Sequence, residues 1–436
     1  MIGLGVVASS ASAATFVIDT TADAVDAAPG DTLCATAGGA CTLRAAVQEA
    51  NALAGADEID LPAGVYLLTL AGGPEDAAAS GDLDVREGLT ITGDGAATTI
   101  IDAGGVTPVI EAGITGFPPP LQTLAISGVT LRNGNRQTGD DCDGLISLSA
   151  TPGVCSIGMA LVLTDSAVED NLGDGIQVLG NLTLERSTVR RNVRLGSIGT
   201  GASVLLGSLT IVDSTISENG SNGVIAPAVP VTIRNSTFSG NPRGLSVGFG
   251  CEPPQIPCPP GPAPIVLNNV TMADHGVTAV YNVVTVFPGG GGGTVPVVVR
   301  NSVFSGNAAE CEGSLTSDGF NSFAAPAGCA ITPGPGDLLG VPANLGPLQS
   351  NGGPTETHLP GAASPVVNAA NPAPPGSGGS SCEALDQRGL ARPIGTVCDM
   401  GAVETSCGDG TLQPGEQCDD GNALNGDGCQ RNCTFP

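Results

Sequence analysis

LVLTDSAVEDN (residues 161–171), LTLERSTVRRN (182–192), LTIVDSTISEN (209–219), VTIRNSTFSGN (231–241), IVLNNVTMADH (265–275) and VVVRNSVFSGN (297–307) are copies of one phrase in unbroken register. Each opens with three residues whose outer two are aliphatic, from Leu161 and Leu163 in the first to Val297 and Val299 in the last. Alternation by two places such a pair on one face of a strand. A further apolar residue follows in every copy: Val168, Val189, Ile216, Phe238, Met272 and Phe304. All the copies end on Asn except the fifth, which ends on His275. Asn tolerates the left-handed backbone conformation and bonds neighbouring main chain, so its recurrence at one turn predicts a ladder of amides. Short strands often follow, as in GIQV (175–178), GVI (223–225) and GLSV (244–247). Successive copies start 21, 27, 22, 34 and 32 residues apart, the spacing of a solenoid.

One phrase cannot bury its apolar edge alone. Rungs stacked about 4.8 Å apart can, as three parallel sheets around an aliphatic core. The prediction is an all-β chain, a right-handed parallel β-helix. Its aromatic content of 3%, without Trp, suits a core of small side chains stacked on copies of themselves. The phrases resemble the parallel β-helix repeat of pectate lyases and of many bacterial surface proteins.

The charge is lopsided, with 42 acidic groups against 14 basic ones, and every basic residue is Arg. A net charge of −28 argues against nucleic acid or anionic lipid as a partner, because phosphate binding needs a basic stripe. The 14 Cys fall mostly in close pairs: Cys34/Cys41, Cys142/Cys155, Cys251/Cys258, Cys311/Cys329, Cys382/Cys398 and four at the end. Such spacing predicts disulfides and an oxidising compartment. Zinc would need clustered ligands, and the only histidines are His275 and His358. No apolar run of about 18 residues predicts a membrane span, and a monomer is expected.

Residues 1–13 are apolar and end in Ala11-Ser12-Ala13, a small-residue pattern that predicts the remainder of a secretory signal peptide. Within 14–58, Thr42 is placed to cap a helix carrying Leu43, Ala46, Val47, Ala50 and Leu53, with Gly55 as its stop. Its expected task is to cover the first rung, whose bare edge would recruit other chains. The surrounding Cys41-Thr42-Leu43-Arg44-Ala45-Ala46 and Gln48-Glu49-Ala50-Asn51 resemble the CSLREA domain found at the front of secreted β-helix proteins. Rungs are then expected over 59–340. In GDLDV, Asp82 and Asp84 fall on one face of a strand and are expected as a solvated edge pair.

Over 341–404 the period stops. DQRGLARP (386–393) and CDMGAVE (398–404) resemble the choice-of-anchor region, which implies a terminal rung and cap; His358 is expected to hold a turn. The tail, CGDGTLQPGEQCDDGNALNGDGCQRNC (407–433) within 405–436, resembles the Cys-rich DUF4215-type repeat of secreted myxobacterial and eukaryotic surface proteins. Its four Cys allow three pairings. Asp409, Asp419, Asp420, Asn422 and Asp427 supply hard oxygens beside Gly turns, the donor set Ca²⁺ takes, so calcium is the one cofactor the sequence suggests.

No catalytic residue is assigned. Just before each phrase's Ser or Val stand Asp165, Arg186, Asp213, Asn235, Asn269 and Asn301. Asp165 and Asp213, two rungs or about 9.5 Å apart, fit an Asp-Arg-Asp salt-bridge ladder through Arg186. Ala273-Asp274-His275-Gly276 resembles only in part the Gly-His-Gly of polygalacturonases, so His275 is expected to replace an Asn in the ladder. The function expected is a secreted or cell-surface scaffold, structural, adhesive or glycan-binding, with an extracellular glycan or a surface protein as partner. The alternatives are a polysaccharide lyase or glycoside hydrolase, and a stalk that merely carries the tail.

Overall fold

The computed structural model describes residues 13–72, 75–113, 122–135, 152–193, 199–227, 229–250, 264–283, 292–361, 364–394, 397–405, 412, 417–420, 426–430 and 435. The signal-like stretch 1–12, the loop 251–263 with its Cys pair, Asp409 and Asn422 lie outside them.

Among the described residues the chain forms three long parallel sheets of twelve, nine and eleven strands. One rung illustrates the rest. Leu209–Val212 joins the twelve-stranded sheet, Thr215–Ser217 the eleven-stranded sheet and Asn222–Ile225 the nine-stranded sheet. Leu182, Leu209 and Val231 are register partners, as are Leu184, Ile211 and Ile233. On the second sheet Val189, Ile216, Phe238, Met272 and Phe304 stack in one column. These columns meet in one continuous core. Phe304 ends its column against Phe323, ring centroids 5.0 Å apart. The molecule is the right-handed parallel β-helix that the repeated phrase predicts.

Two of the corners of each rung fall on left-handed residues of the phrase. The first falls on Asp165, Arg186, Asp213, Asn235, Asn269 and Asn301, with φ between 44° and 53°. The second falls on Asp170, Arg191, Glu218, Gly240, Asp274 and Gly306, with φ between 52° and 71°. The left-handed residue is therefore the one before the phrase-final Asn. This corrects the reason given for that Asn: its predecessor takes the bend, which frees its amide to turn inward.

The first sheet starts earlier than the pattern suggests, because Thr15–Val17 pairs in parallel with Asp57–Leu61. The helix Leu43–Ala52 begins where expected, with Thr42 Oγ1 accepting from Ala45 N at 3.1 Å. Its Leu43, Ala46, Val47 and Ala50 join the core beside Ile59, Leu61 and Leu83, closing the first rungs. The helix ends at Ala52, ahead of Gly55, where the Leu53 N–H bonds Glu49 O at 3.1 Å.

After Leu338–Leu339 the chain doubles back along the eleven-stranded sheet. Thr215 Oγ1 donates to Glu356 O at 2.5 Å, Asn235 Nδ2 to Leu385 O at 2.7 Å, and Asn268 Nδ2 to Ser381 O at 3.1 Å. Disulfides join Cys34 to Cys41, Cys311 to Cys329, Cys382 to Cys398 and, in the tail, Cys418 to Cys429. Cys155 is also disulfide-bonded.

Candidate functional site

The repeated polar residues build the coil before they build any site. Asn171, Asn192 and Asn219 each donate Nδ2 to the Oδ1 of the next rung's Asn, at 2.8, 3.0 and 3.0 Å. His275 takes the fifth place: its backbone N–H reaches Asn307 Oδ1 at 3.1 Å, and its Nδ1 lies 3.0 Å from Asn241 O. Burial drives its pKa down to about 4, so the ring is neutral. Glycines pack against the ladder, since a Cβ on Gly175 would lie 2.7 Å from Asn192 Nδ2 and one on Gly244 2.7 Å from His275 Nε2. A second ladder runs alongside. The hydroxyls of Ser187, Ser214 and Ser236 accept the N–H of Ser166, Ser187 and Ser214 from the preceding rung at 3.1 to 3.2 Å. Its signal in the sequence is a Ser in five of the six phrases, each directly after the Asp, Arg or Asn of the first bend.

At the N-terminal end the helix organises an acidic cluster. Arg44 is fully buried, bonds Asp23 at 2.6 Å, and donates to the carbonyls of Ala78, Gly81 and Asp82. Asn51 donates to Asp84 O at 2.6 Å and accepts from Arg86 N at 2.8 Å. These bonds fix the loop and the strand Leu83–Val85 that carry Asp76, Asp84 and Arg86. Arg86 Nη2 lies 2.5 Å from Asp76, 3.1 Å from Asp84 and 3.6 Å from Glu111, which is Asp84's partner on the next strand. Asp82 and Asp84 are 5% and 1% exposed, so the expected solvated pair is instead internal. Burial pushes Asp84 up to about 7; bonds from Ala78 N and Arg86 oppose that rise, while Glu75 and Asp76 add to it. Asp76, Asp84 and Glu111 are the one group of three potential metal ligands found among the described residues. A cation there would have to displace Arg86.

The second cluster lies on the seam between the coil and the returning segment. Arg186 bonds Asp165 at 2.8 and 2.9 Å and also Glu185. The expected Asp-Arg-Asp ladder thus stops at its first pair, because Glu185 on the same strand end takes the free side of the guanidinium. Asp213 is desolvated instead, which pushes it up to about 6. Beside it Gln387 is held on every side: Nε2 donates to Ser214 O at 3.2 Å and to Thr215 and Thr355 hydroxyls at 2.9 Å, and Oε1 accepts from Thr237 at 2.6 Å. His358 bridges Ser239 Oγ at 2.8 Å and Gly346 O at 2.7 Å. It is 2% exposed, and burial lowers its pKa, so it pins the segment rather than faces solvent. The conspicuous DQRG and DMGAVE residues close on themselves: Arg392 bonds Glu404 at 2.8 Å, and Arg388 bonds Asp386 at 2.9 Å.

In the tail, Asp420 Oδ2 accepts from Cys429 N at 2.9 Å, beside the Cys418–Cys429 disulfide. Asp419 is half-buried and Asp427 exposed.

The family model for DUF4215, a domain of unknown function, matches residues 395–434. No curated protein matches the chain. Among solved structures the chain is similar to pectate lyase Pel9A, at 15% identity over 90% of this chain and 97% of that one, with a TM-score of 0.47. It is also similar to two mannuronan C-5 epimerase A-modules of Azotobacter vinelandii. AlgE4 is 14% identical over 73% of this chain and 94% of that one, with a TM-score of 0.36. AlgE6 is 15% identical over 70% and 95%, with a TM-score of 0.23.

Proposed function

We propose that the chain is an extracellular β-helix scaffold whose open sheet face holds an extended, neutral glycan. The observation that carries this reading is one outward row on the twelve-stranded sheet. Ala125, Val162, Thr183, Thr210, Thr232 and Val266 are successive register partners, and none is buried or ionisable. Five steps of about 4.8 Å make a straight strip about 24 Å long. In a chain of net charge −28 an anionic polymer is repelled, and a row without charged side chains offers no ion pair to a cationic one, which favours an uncharged polymer. The repeated Asn and Ser are consumed by the ladders, which makes the strip rigid, and rigidity lowers the entropic cost of binding. The disulfides support an oxidising, extracellular setting. Calcium held by the tail oxygens of Asp409, Asp419, Asp420, Asn422 and Asp427 belongs to the same proposal. Calorimetric titration of the full chain tests it, and no calcium heat would remove that part.

The test of function is a panel of neutral and uronate-rich polysaccharides, scored for both binding and product release. Saturable binding to a neutral polymer without product supports the scaffold. Release of reducing ends or unsaturated sugars would sink it in favour of a hydrolase or lyase.

A further inference from the structure

The outermost strand of the twelve-stranded sheet, Thr15–Val17, starts directly after the signal-like stretch. Ala13 is exposed and Ala14 half-buried. From Ala14 on the chain is held: its O accepts from Glu58 N at 2.8 Å, Thr15–Val17 pairs in parallel with residues 58–60, and Phe16 and Ile18 enter the core. Ala14 N donates to Asp57 Oδ1 at 2.7 Å. Asp57 is 1% exposed, yet its second oxygen, Oδ2, is buried without a donor. Other buried acids meet a guanidinium, Asp386 that of Arg388 and Glu404 that of Arg392. Asp57 holds an amide N–H instead, which leaves a buried carboxylate half answered.

We propose that a secretory leader peptidase cuts the Ala13–Ala14 bond, and that the freed α-ammonium of Ala14 pairs with both oxygens of Asp57 and fastens the first strand to the β-helix. Ala11 and Ala13 are the small residues such an enzyme needs at the third and first positions before its cut. In the hydrolysis the C–N bond breaks. The oxygen of water joins the Ala13 carbonyl carbon, which leaves as a carboxylate, and the Ala14 nitrogen takes both protons of that water. An amide with one donor thus becomes a cation with three, enough for Oδ1 and Oδ2 together, and charge-assisted bonds are the stronger kind. Charges nearby are already committed. Asp57 N bonds Gly88 O at 3.1 Å; just ahead of Gly88, Arg86 pairs with Asp76 and Asp84, and Glu87 accepts from Gln122 at 2.5 Å. Glu58 on the same strand is exposed. The ion pair does not depend on what the open sheet face binds.

Two measurements test it. Incubation of the full chain with purified bacterial leader peptidase in detergent, followed by intact mass, is expected to show loss of residues 1–13. No cut, or a cut at another bond, overturns the processing site. The ion pair is tested on three forms near neutral pH: the chain beginning at Ala14 with a free amine, the same chain with Ala14 acetylated, and the full chain. Acetylation restores the amide N–H and removes the charge, so it separates the pair from the mere absence of the leader. Hydrogen exchange, corrected for intrinsic rates, is followed in peptides covering residues 14–18 and 57–61. Opening of this strand pair is expected to be at least about ten-fold rarer with the free amine than in either amide form, the gain of a charge-assisted bond over a neutral one. In Asp57→Asn, which keeps the shape and one acceptor, that advantage is expected to vanish. Equal exchange in the three forms overturns the pair whether or not Asp57→Asn folds at this end, and so does an advantage that survives in Asp57→Asn.

Discussion

Asn192 Nδ2 lies 3.0 Å from Asn219 Oδ1 one rung away, and the same oxygen accepts the Asn192 backbone N–H at 3.2 Å. One side-chain oxygen therefore satisfies two buried donors, and Asn219 in turn donates to Val189 O and Asn241 Oδ1. Asn219→Leu fills the space but strands the Asn192 N–H and the Val189 carbonyl. A loss of about 2–4 kcal/mol is expected from one or two bare groups, read as a lower urea midpoint with unchanged slope. A loss below about 0.5 kcal/mol, the size of an ordinary surface change, would mean that the amides do not hold the rungs.

Arg44 is among the largest fully buried side chains and holds both Asp23 and the loop that carries Asp76 and Asp84. Arg44→Met keeps the volume but leaves Asp23 without its guanidinium partner, holding only the N–H groups of Thr69 and Leu70, and takes the Arg44 donor from three carbonyls. Breaking one partner of a buried pair costs about 3–5 kcal/mol. Early protease nicking of residues 75–86 is expected in the variant, with the later rungs intact; an unchanged cleavage pattern would show that the helix does not anchor this loop.

His275→Asn replaces the one imidazole of the ladder with the residue its siblings carry. Near neutral pH the change is expected to be within about 1 kcal/mol, as for other swaps that keep the bonding. In acid the variant should be the more stable protein. Folded His275 titrates near 4 instead of 6.5, so its neutral form supports the fold above the unfolded value and that support drains as pH falls from 6.5 toward 4. Equal melting of both proteins at about pH 4.5 would contradict the placement of a neutral ring there.

Much of this is legible in the phrases themselves. Aliphatic pairs such as Leu209 and Ile211 name the inward face, and the terminal Asn names the ladder, because both properties repeat rung by rung. The docking of Gln387 onto Ser214 or of Asn235 onto Leu385 is not legible, since the partners are 173 and 150 residues apart and neither repeats. The fate of Asp84 was misread for the same reason: its exposure is decided by Arg86, Ala78 and a helix 33 residues earlier in the chain, not by strand alternation. Residues 386–404, whose charges look available in the sequence, pair internally once folded.

The pH profile follows from the same burial. Asp84 and Asp213, pushed up to about 7 and about 6, bind protons more tightly folded than unfolded, so their support is full below 3.8 and fades as pH rises through those values. His275 and His358, both lowered by burial, act in the opposite sense below 6.5. Melting temperature is expected to rise from about pH 8 to about pH 6 and then level off. A monotonic fall over that interval would contradict the burial of both carboxyls.

The central claim is that the threonine-lined row binds a neutral glycan without cleaving it, and equilibrium binding of a row variant tests it most directly. Thr183→Glu combined with Thr210→Glu puts two charges on adjacent rungs of the open face, at half-exposed positions where the fold should tolerate them. The account predicts a neutral polysaccharide bound by the wild type with no product formed, and at least about ten-fold weaker binding by the variant at equal melting temperature, a loss of about 1.4 kcal/mol. Unaltered affinity in the variant, or product released by the wild type, would contradict it.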